Sequence, residues 1–302
     1  MCTNDTVTMI ADSRFRFLIE SCDVRGQLVH LDTCWAEALA RTDYPDTVRT
    51  LLGEAFVATA LLAGTIKFAG KLTLQVRGSG DVYLLVVQIT SEGDMRGLAR
   101  WNEVPDTTQP CSAFGDDARM TISIETDQSA QPYQGIVPIQ GDSLAESIQH
   151  YFASSEQLKT ELFFAVSDSA VSGLLLQALP QNEQQTLDDD GWARAVALAE
   201  TLSEQELLQE DVETLLHRLY HEEQVRLFES VQLRFFCTCS KERTDGMLIS
   251  LGEAEVLDIV KEQGDVSISC EFCDARYRYD AVDVTALFKG YVADHPNSGT
   301  QH

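Results

Sequence analysis

Four of the eight cysteines form two close pairs in the last quarter of the sequence. Cys237 and Cys239 are separated by one residue, Cys270 and Cys273 by two, and 30 residues lie between the pairs. Two cysteine pairs on either side of a loop are typical of a structural zinc site, to which each pair contributes two corners of a tetrahedron. In an extended strand, residues i and i+2 face the same side, so the Cys-x-Cys pair can also direct both sulfurs to one ion. The sequence therefore predicts one zinc ion bound by these four thiolates.

Metal-bound thiolates are also the form of cysteine that oxidants attack. A disulfide needs Cα atoms about 4.4–6.8 Å apart, so an extended Cys-x-Cys pair lies near the limit, and closing it would bend the backbone. Structural zinc contributes on the order of 10–16 kcal/mol to folding, so its loss would unfold a small module. The cluster is therefore either an oxidation-sensitive switch or an inert zinc staple, and the spacing alone favours the staple.

Three other groups of residues could form a binding site but have simpler structural explanations. The segment 78–80 (GSG) lacks the third glycine of a phosphate-binding loop and precedes a predicted strand, which favours a turn. His217 and His221 could share a metal, but the glutamate that follows the first histidine in zinc peptidases is missing, which favours an exposed helix face. A helix N-terminus accounts for three successive carboxylates without a bound cation, namely Asp188, Asp189 and Asp190.

Composition excludes several classes of protein. The 302 residues include 22 Lys and Arg against 48 Asp and Glu, a net charge of −26 that disfavours nucleic-acid binding. A hydrophobic share of 44% with 23% charged residues is typical of a globular chain. The sequence contains neither the nucleophile elbow of hydrolases nor a Walker loop, so we expect a protein that is not an enzyme.

The N-terminal residues suggest that the chain stays in the cytoplasm. They contain neither a basic region nor an apolar segment of the kind found in signal peptides. The apolar stretch 55–66 is shorter than a membrane span, so we expect no membrane association. Cysteines in such a chain are expected to be mostly reduced, and no role can be assigned to the solitary ones, Cys2, Cys22, Cys34 and Cys111.

The pattern of apolar residues predicts an α+β protein with three parts. Residues 1–180 are predicted to form a core domain of mixed sheet and helix, with helices opening at Pro45 and at Ser143. A turn is expected at 24–26, and an antiparallel meander over 71–101. The predicted strands are 14–19, 27–31, 71–77, 82–90, 95–101, 118–125, 133–139, 162–167 and 173–179.

Residues 181–230 are predicted to be an acidic helical linker, and residues 231–302 a small zinc-binding domain. The linker has 13 acidic residues against three arginines, so its charges oppose compaction. One predicted helix aligns Trp192, Val196, Ala199 and Ser203, and a capping box starts the next at Ser203. That next helix carries an apolar stripe of Leu208, Val212, Leu215, Leu216 and Leu219. Short helices of this kind depend on docking an apolar face, which favours conditional order.

Seven short segments of the sequence form a recognisable combination: 74–80 (LQVRGSG), 133–138 (YQGIVP), 154–158 (SSEQL), 219–223 (LYHEE), 236–243 (FCTCSKER), 250–252 (SLG) and 270–273 (CEFC). Together they resemble the redox-regulated 33-kDa heat-shock chaperone family. The likeness covers essentially the whole chain in the right order, and the combination of motifs is specific.

The resemblance implies a reduced, inactive form in which the four clustered cysteines bind zinc. It also implies that oxidation forms the Cys237–Cys239 and Cys270–Cys273 disulfides, which releases zinc and unfolds the linker. The family consists of ATP-independent holdases that dimerise when active and pass their clients to ATP-driven chaperones. On this basis, the expected contact surface for unfolded client proteins includes the apolar linker face of Leu208, Val212, Leu215 and Leu219.

Two other functions fit parts of the sequence. A constitutive protein-binding module could use an inert zinc staple to present a surface to one dedicated partner. A zinc-ribbon nucleic-acid binder is disfavoured by the charge of −26. The holdase and the constitutive module differ in whether activity appears only after oxidation.

Overall fold

A computed structural model describes residues 11–126, 133–179 and 190–294 of the chain. The chain forms two compact units, Met1–Phe236 and Cys237–His302. The acidic segment belongs to the first unit, and its separate role as a linker over 181–230 stays a prediction.

The first unit combines strands and helices in the order expected of an α+β domain. Its β-strands are β1 (Ser13–Ile19), β2 (Val24–Leu31), β3 (Gly70–Arg77), β4 (Val82–Thr90), β5 (Asp94–Trp101), β6 (Arg119–Thr126), β7 (Tyr133–Pro138), β8 (Thr160–Val166), β9 (Val171–Ala178), β10 (Val225–Leu227), β11 (Val231–Gln232) and β12 (Arg234–Phe235). Its α-helices are α1 (Thr33–Leu39), α2 (Asp46–Thr65), α3 (Leu144–Tyr151), α4 (Gly191–Ala199), α5 (Glu204–Gln209) and α6 (Val212–Tyr220).

These strands form two sheets of six strands each. The first has the order β10-β1-β2-β9-β8, with β11 also paired to β1. The second has the order β12-β5-β4-β3-β6-β7 and contains the predicted meander. The pairing of β12 with β5 is parallel, and every other ladder in the two sheets is antiparallel.

Helix α2 forms the centre of the main core, where it packs against strands of both sheets. By length and composition α2 could cross a membrane, and it is the single such helix among the described residues. However, 72% of its most apolar stretch is buried inside the protein, as in the core helix of a globular domain. The predicted apolar segment 55–66 is thus, up to Thr65, the second half of a largely buried 20-residue helix.

The first sheet is apolar on both faces because its side chains alternate between two cores. Val29 and Leu175 face the core around α2, whereas Leu28, Leu174 and Leu176 face a second core. The helices α4, α5 and α6 cover this second face. Their contributions to the second core are Ala195, Ala199, Leu207, Leu215, Leu216, Leu219 and Tyr220.

The predicted strands and both predicted core helices are present, but the turn predicted at 24–26 is wrong. The chain turns instead at 20–23, where Asp23 has φ +49°, and β2 already begins at Val24. Gly26 lies inside β2 because the ring of Phe17 packs on its backbone; a Cβ there would be 2.0 Å from Phe17 Cζ. Gly26 therefore permits close packing in this position, and does not form the turn.

The described part of the acidic segment, from residue 190 onward, contains helices as predicted, with two differences. Ser203 does not continue the helix of Trp192, since α4 ends at Ala199 and Ser203 is the N-cap of α5 in a complete capping box with Glu206. Leu208 belongs to α5 and not to α6, because the chain is extended at Glu210 and Asp211 caps a new helix.

The second unit contains a β-hairpin and helices around a small core. Its elements are α7 (Lys241–Leu251), α8 (Glu253–Gln263), β13 (Val266–Ser269), β14 (Arg276–Tyr279) and α9 (Ala281–Asp294). Strands β13 and β14 pair antiparallel in register from Val266–Tyr279 to Ser269–Arg276. The described apolar core of this unit comprises Leu248, Val256, Val260, Val266, Tyr279, Val284 and Phe288.

Candidate metal centre

Two short loops of the second unit carry the four clustered cysteines. Cys237 and Cys239 precede α7, whose N-cap is Ser240. Cys270 and Cys273 lie in the turn between β13 and β14, where Cys270 N donates to the Ala275 oxygen at 2.9 Å. Asp274 N donates to the Cys270 oxygen at 2.8 Å, and Asp274 has the left-handed φ of +53° that closes this turn.

The four Sγ atoms are close enough to coordinate one ion. They all lie within 4.8 Å of one another. The distance is 3.6 Å between the Sγ atoms of Cys237 and Cys270, and 3.2 Å between those of Cys239 and Cys273. A tetrahedral ion with metal–sulfur bonds of 2.3 Å would separate its sulfurs by about 3.8 Å. The donor set therefore fits a tetrahedral thiolate centre.

The electrostatics of the cluster favour a bound cation. Burial, and then the neighbouring thiols, raise the pKa of Cys273 well above the ordinary value of a thiol. Burial is also the main cause that raises the pKa of Cys270, and the contact with Cys237 adds to it. Four thiolates at these distances repel one another, and a divalent cation reverses this penalty.

Tyr277 is a functional candidate that the sequence pattern did not indicate. Its hydroxyl donates a hydrogen bond to Cys239 Sγ at 3.3 Å, and this contact raises the pKa of Tyr277 to about 12. A hydrogen bond to a ligating sulfur orients the ligand and disperses its charge. Tyr277 lies in β14, four residues after Cys273, and spacing rules for cysteines do not reach such a neighbour.

The loop between the first two cysteines is stabilised by the start of α7. Ser240 Oγ accepts from the backbone N of Arg243 at 3.3 Å, as an N-cap residue does. The guanidinium of Arg243 donates to Thr238 Oγ1 at 2.8 Å. The residue between the two sulfurs is thereby connected to the same helical turn that follows them.

Within the described ranges, the four cysteines are the only group of three or more His, Cys, Asp or Glu side chains close enough to share an ion. Gly80 lies in a turn, where its N–H donates to the Phe114 oxygen at 2.9 Å. Asp190 is the N-cap residue of α4, and Asp188 and Asp189 lie outside the described residues. His217 and His221 are exposed neighbours with ring centroids 5.9 Å apart.

The solitary cysteines lie apart from the cluster. Cys34 and Cys111 belong to the main core, and burial raises the pKa of both thiols. Cys22 is half-buried in the turn between β1 and β2, and burial also raises its pKa. Cys2 lies outside the described residues.

The predicted client-binding residues occupy two helices. Leu215 and Leu219 of α6 are 1% and 3% exposed and belong to the second core. Val212 at the start of α6 and Leu208 in α5 are half-buried and pack against the same core. In this conformation Leu215 and Leu219 are therefore hidden in the second core, whereas Leu208 and Val212 stay partly exposed at its edge.

A family profile and the sequences of known proteins indicate the same family for this chain. The profile of the family described as Hsp33 protein matches residues 12–280. The 33 kDa chaperonin of Pseudomonas aeruginosa (strain LESB58) is 43% identical over 303 aligned residues, which cover 97% of this chain and 99% of the relative. The 33 kDa chaperonin of Azotobacter vinelandii is 44% identical, with 95% of this chain and 97% of the relative covered.

A solved structure has the same fold. The crystal structure of the 33 kDa chaperonin of Thermotoga maritima superposes with a TM-score of 0.79 at 24% identity, and the match covers 94% of this chain and all of that one. The family profile spans both the helices over the first sheet and the cysteine cluster. The expected resemblance is thus confirmed, and the chain belongs to the Hsp33 family of chaperones.

Proposed function

We propose that this protein is a redox-regulated, ATP-independent holdase that binds unfolding proteins under oxidative stress. The observation that carries the proposal is the packing of the helices α4, α5 and α6 on one face of the first sheet. Short acidic helices hide an apolar sheet face in the same chain that carries an oxidisable thiol cluster. The names of the relatives, 33 kDa chaperonins, support binding of unfolded clients in place of catalysis.

The metal in the reduced form is zinc. Four thiolates in a tetrahedral arrangement select zinc among the common cellular ions, and Cys237, Cys239, Cys270 and Cys273 would be its ligands. When bound, the ion supplies the charge that lets the four sulfurs stay ionised at close distance. The chain's own residues supply the fixed loops, the cap at Ser240 and the Tyr277 hydrogen bond.

Oxidation converts the cluster into two disulfides, Cys237–Cys239 and Cys270–Cys273. Each disulfide joins two thiolates and gives up two electrons; one peroxide takes these electrons together with two protons from the solvent and becomes two waters. The Sγ contacts of 3.6 Å between Cys237 and Cys270 and of 3.2 Å between Cys239 and Cys273 join the two loops, so the proposed pairing requires each loop to close on itself. Disulfide sulfurs carry no such charge, so a zinc ion held by the four thiolates would be released.

The helices over the first sheet are suited to detach as a group. α4, α5 and α6 have nine, six and nine residues, lengths that are marginal without docking. Detachment would expose Phe17, Leu28 and Leu174 on the sheet, together with the predicted client face on the helices. A newly exposed apolar surface of this kind binds unfolded chains, and the charge of −26 would keep the complexes soluble.

The holdase acts in the cytoplasm, where reducing conditions keep the thiols free in unstressed cells. We further propose that the oxidised form is a homodimer and that it passes its clients to ATP-driven chaperones after reduction. Gel filtration of the reduced and oxidised forms tests the first statement. Recovery of client activity on addition of reductant together with ATP-driven chaperones tests the second.

The deciding experiment measures light scattering of a thermally unfolding client. Zinc-loaded reduced protein is compared with protein treated with peroxide at raised temperature, and then with the same sample after reductant. Suppression of aggregation only in the oxidised sample supports the proposal. The variant Cys22→Ser, which leaves the cluster intact, should switch like the wild type. Equal suppression by both forms would instead favour the constitutive module with an inert zinc staple.

A further inference from the structure

His217 and His221 form an exposed pair on the outer face of α6. They are four residues apart, so they occupy neighbouring positions on one side of the helix. His221 is the C-cap residue of α6 and keeps helical dihedral angles, φ −63° and ψ −20°, so the spacing of a helical turn extends to it. The two rings lie 5.9 Å apart between centroids with an interplanar angle of 32°.

The ring separation is close to what chelation of one ion requires. A metal about 2.1 Å from each coordinating nitrogen lies roughly 3.2 Å from each ring centroid, and tetrahedral angles then separate the centroids by about 5.2 Å. The observed 5.9 Å differs from this by less than 1 Å, which side-chain rotation in exposed rings can supply. Two histidines at this helical spacing also provide two ligands of the zinc site in helical metallopeptidases.

The surroundings are electrostatically suited to a cation. The Glu222 carboxylate lies 3.9 Å from His221 Nε2, and Glu213 occupies the position one helical turn before His217. Arg218 lies between the two histidines in sequence, but its guanidinium is paired with Glu206 and donates to the Thr201 oxygen at 3.3 Å. The guanidinium of Arg218 is thus directed toward α5 and the segment before it.

We propose that His217 and His221 form a second metal site, which binds a divalent first-row transition ion through two imidazole nitrogens. Water completes the coordination, since the described residues contain no third ligand close enough to both rings. A site with two protein ligands binds much more weakly than a four-thiolate centre. It therefore takes up metal only after the cysteine cluster is filled.

The site has a consequence for the linker, and this part rests on the proposed function. The same helix buries Leu215, Leu216 and Leu219 against the first sheet. An ion held by both histidines requires the helical turn between them, so it binds the docked helix and not the unfolded segment. Binding of this kind opposes unfolding of α6 by mass action.

Isothermal titration of Ni²⁺ into zinc-loaded, untagged protein tests the site. Imidazole binds Ni²⁺ well, whereas thiolates favour zinc, so the cluster keeps its ion and zinc content is checked to stay at one per chain. We expect saturable binding at one further site. His217→Gln and His221→Gln should each weaken it about tenfold or more, since even the loss of an outer-shell partner costs 10–100-fold.

His150→Gln is the matched control, because His150 is also exposed and lies in the last turn of another helix, α3. Its Ni²⁺ affinity should equal that of the wild type. Equal affinity in the wild type, His217→Gln and His221→Gln would overturn the proposed site. All three positions are exposed, so circular dichroism of the variants should match the wild type.

Hydrogen exchange measures the consequence for α6 separately from the holdase function. At free Ni²⁺ about ten times the dissociation constant, the opened population of α6 should fall about tenfold in the wild type. His217→Gln should show no such protection at the same concentration. If Ni²⁺ binds but exchange of α6 is unchanged, the stabilising role is wrong. Failure of the holdase assay would leave both measurements unaffected.

Discussion

Cys22 and Gly191 are in direct contact where the β1–β2 turn meets the first residue of α4. A Cβ at position 191 would lie 2.2 Å from the Cβ of Cys22 and 3.2 Å from its Cα. Only a glycine allows α4 to begin this close to the turn. The fit of these two residues therefore fixes how the acidic helices start their path over the first sheet.

Gly191→Ala should loosen that cover. The added methyl group overlaps the Cβ of Cys22, whose position the backbone fixes, and overpacking of this kind costs about 1–3 kcal/mol. We expect the reduced, zinc-loaded variant to suppress client aggregation without oxidant, measured by light scattering. Gly246→Ala in α7 is the control, since nothing lies within 4 Å of an added Cβ there. If the reduced Gly191→Ala variant does not suppress client aggregation, the docking of α4 does not control activation.

Tyr277→Phe should weaken zinc retention while leaving the four ligands in place. The substitution removes the hydroxyl that donates to Cys239 Sγ at 3.3 Å. Loss of such an outer partner costs about 10–100-fold in metal affinity. Competition with a chromogenic chelator measures the change, with Tyr83→Phe on the exposed part of β4 as control. Unchanged zinc affinity in Tyr277→Phe would mean that this hydrogen bond is incidental.

Peptide mapping after oxidation should distinguish pairing within loops from pairing between loops. Trypsin cleaves after Arg234 and Lys241, and again after Lys261 and Arg276, so each cysteine pair falls in one peptide. The proposed Cys237–Cys239 and Cys270–Cys273 bonds leave peptides 235–241 and 262–276 separate, each lighter by two hydrogens. Disulfides along the short Sγ contacts would join the two peptides, and a joined species as the main product would refute the proposed pairing.

The first unit should lose stability as the pH rises, because the buried carboxyl group of Glu54 must then ionise. Burial is the largest cause that raises its pKa from 4.5 to about 7, and nearby Glu146 and Glu204 add to it, while the N–H of Leu144 opposes the shift. Above about pH 4.5 the unfolded chain loses a proton that the folded chain keeps. The free energy of unfolding is therefore highest below about pH 4.5 and falls as the pH rises through about pH 7. The total loss is about 3 kcal/mol.

Glu54→Gln should remove most of this dependence, because the amide oxygen can still accept from Leu144 N, now 2.9 Å from Glu54 Oε2. Urea unfolding between pH 5 and pH 8 gives the free energy of unfolding at each pH. Glu103→Gln, at an exposed position, should keep the wild-type slope. Parallel slopes in the wild type and Glu54→Gln would show that Glu54 does not govern the titration.

Local patterns in the sequence were sufficient to predict most strands and helices of the first unit. Alternation of polar and apolar residues located β1 and β3, a long apolar run located β4, and the capping pattern at Ser203 located the start of α5. Helix α1 was missed although Asp32, its N-cap residue, precedes buried Cys34, Trp35 and Ala38 at helical spacing. Seven residues are too few for this spacing to be distinguished from chance.

Features that depend on distant partners could not be predicted. Strands β10, β11 and β12 have two or three residues each and exist because β1 and β5 offer free edges. The cysteine spacing predicted the cluster, but the hydrogen bond from Tyr277 depends on the fold of the β13–β14 hairpin. The acidic composition suggested conditional order, and it contained no information about which sheet face the helices cover.

The order of strands in the first sheet has a consequence for synthesis on the ribosome. Strand β2 pairs with β9, so that His30 lies opposite Ser172, and the helices that cover this sheet come later still. Pairing over such a separation is slow, because a long loop must close first. A nascent chain therefore carries β1 and β2 with an apolar face open until α4–α6 emerge, and during this interval it needs the kind of protection that it is proposed to give to others.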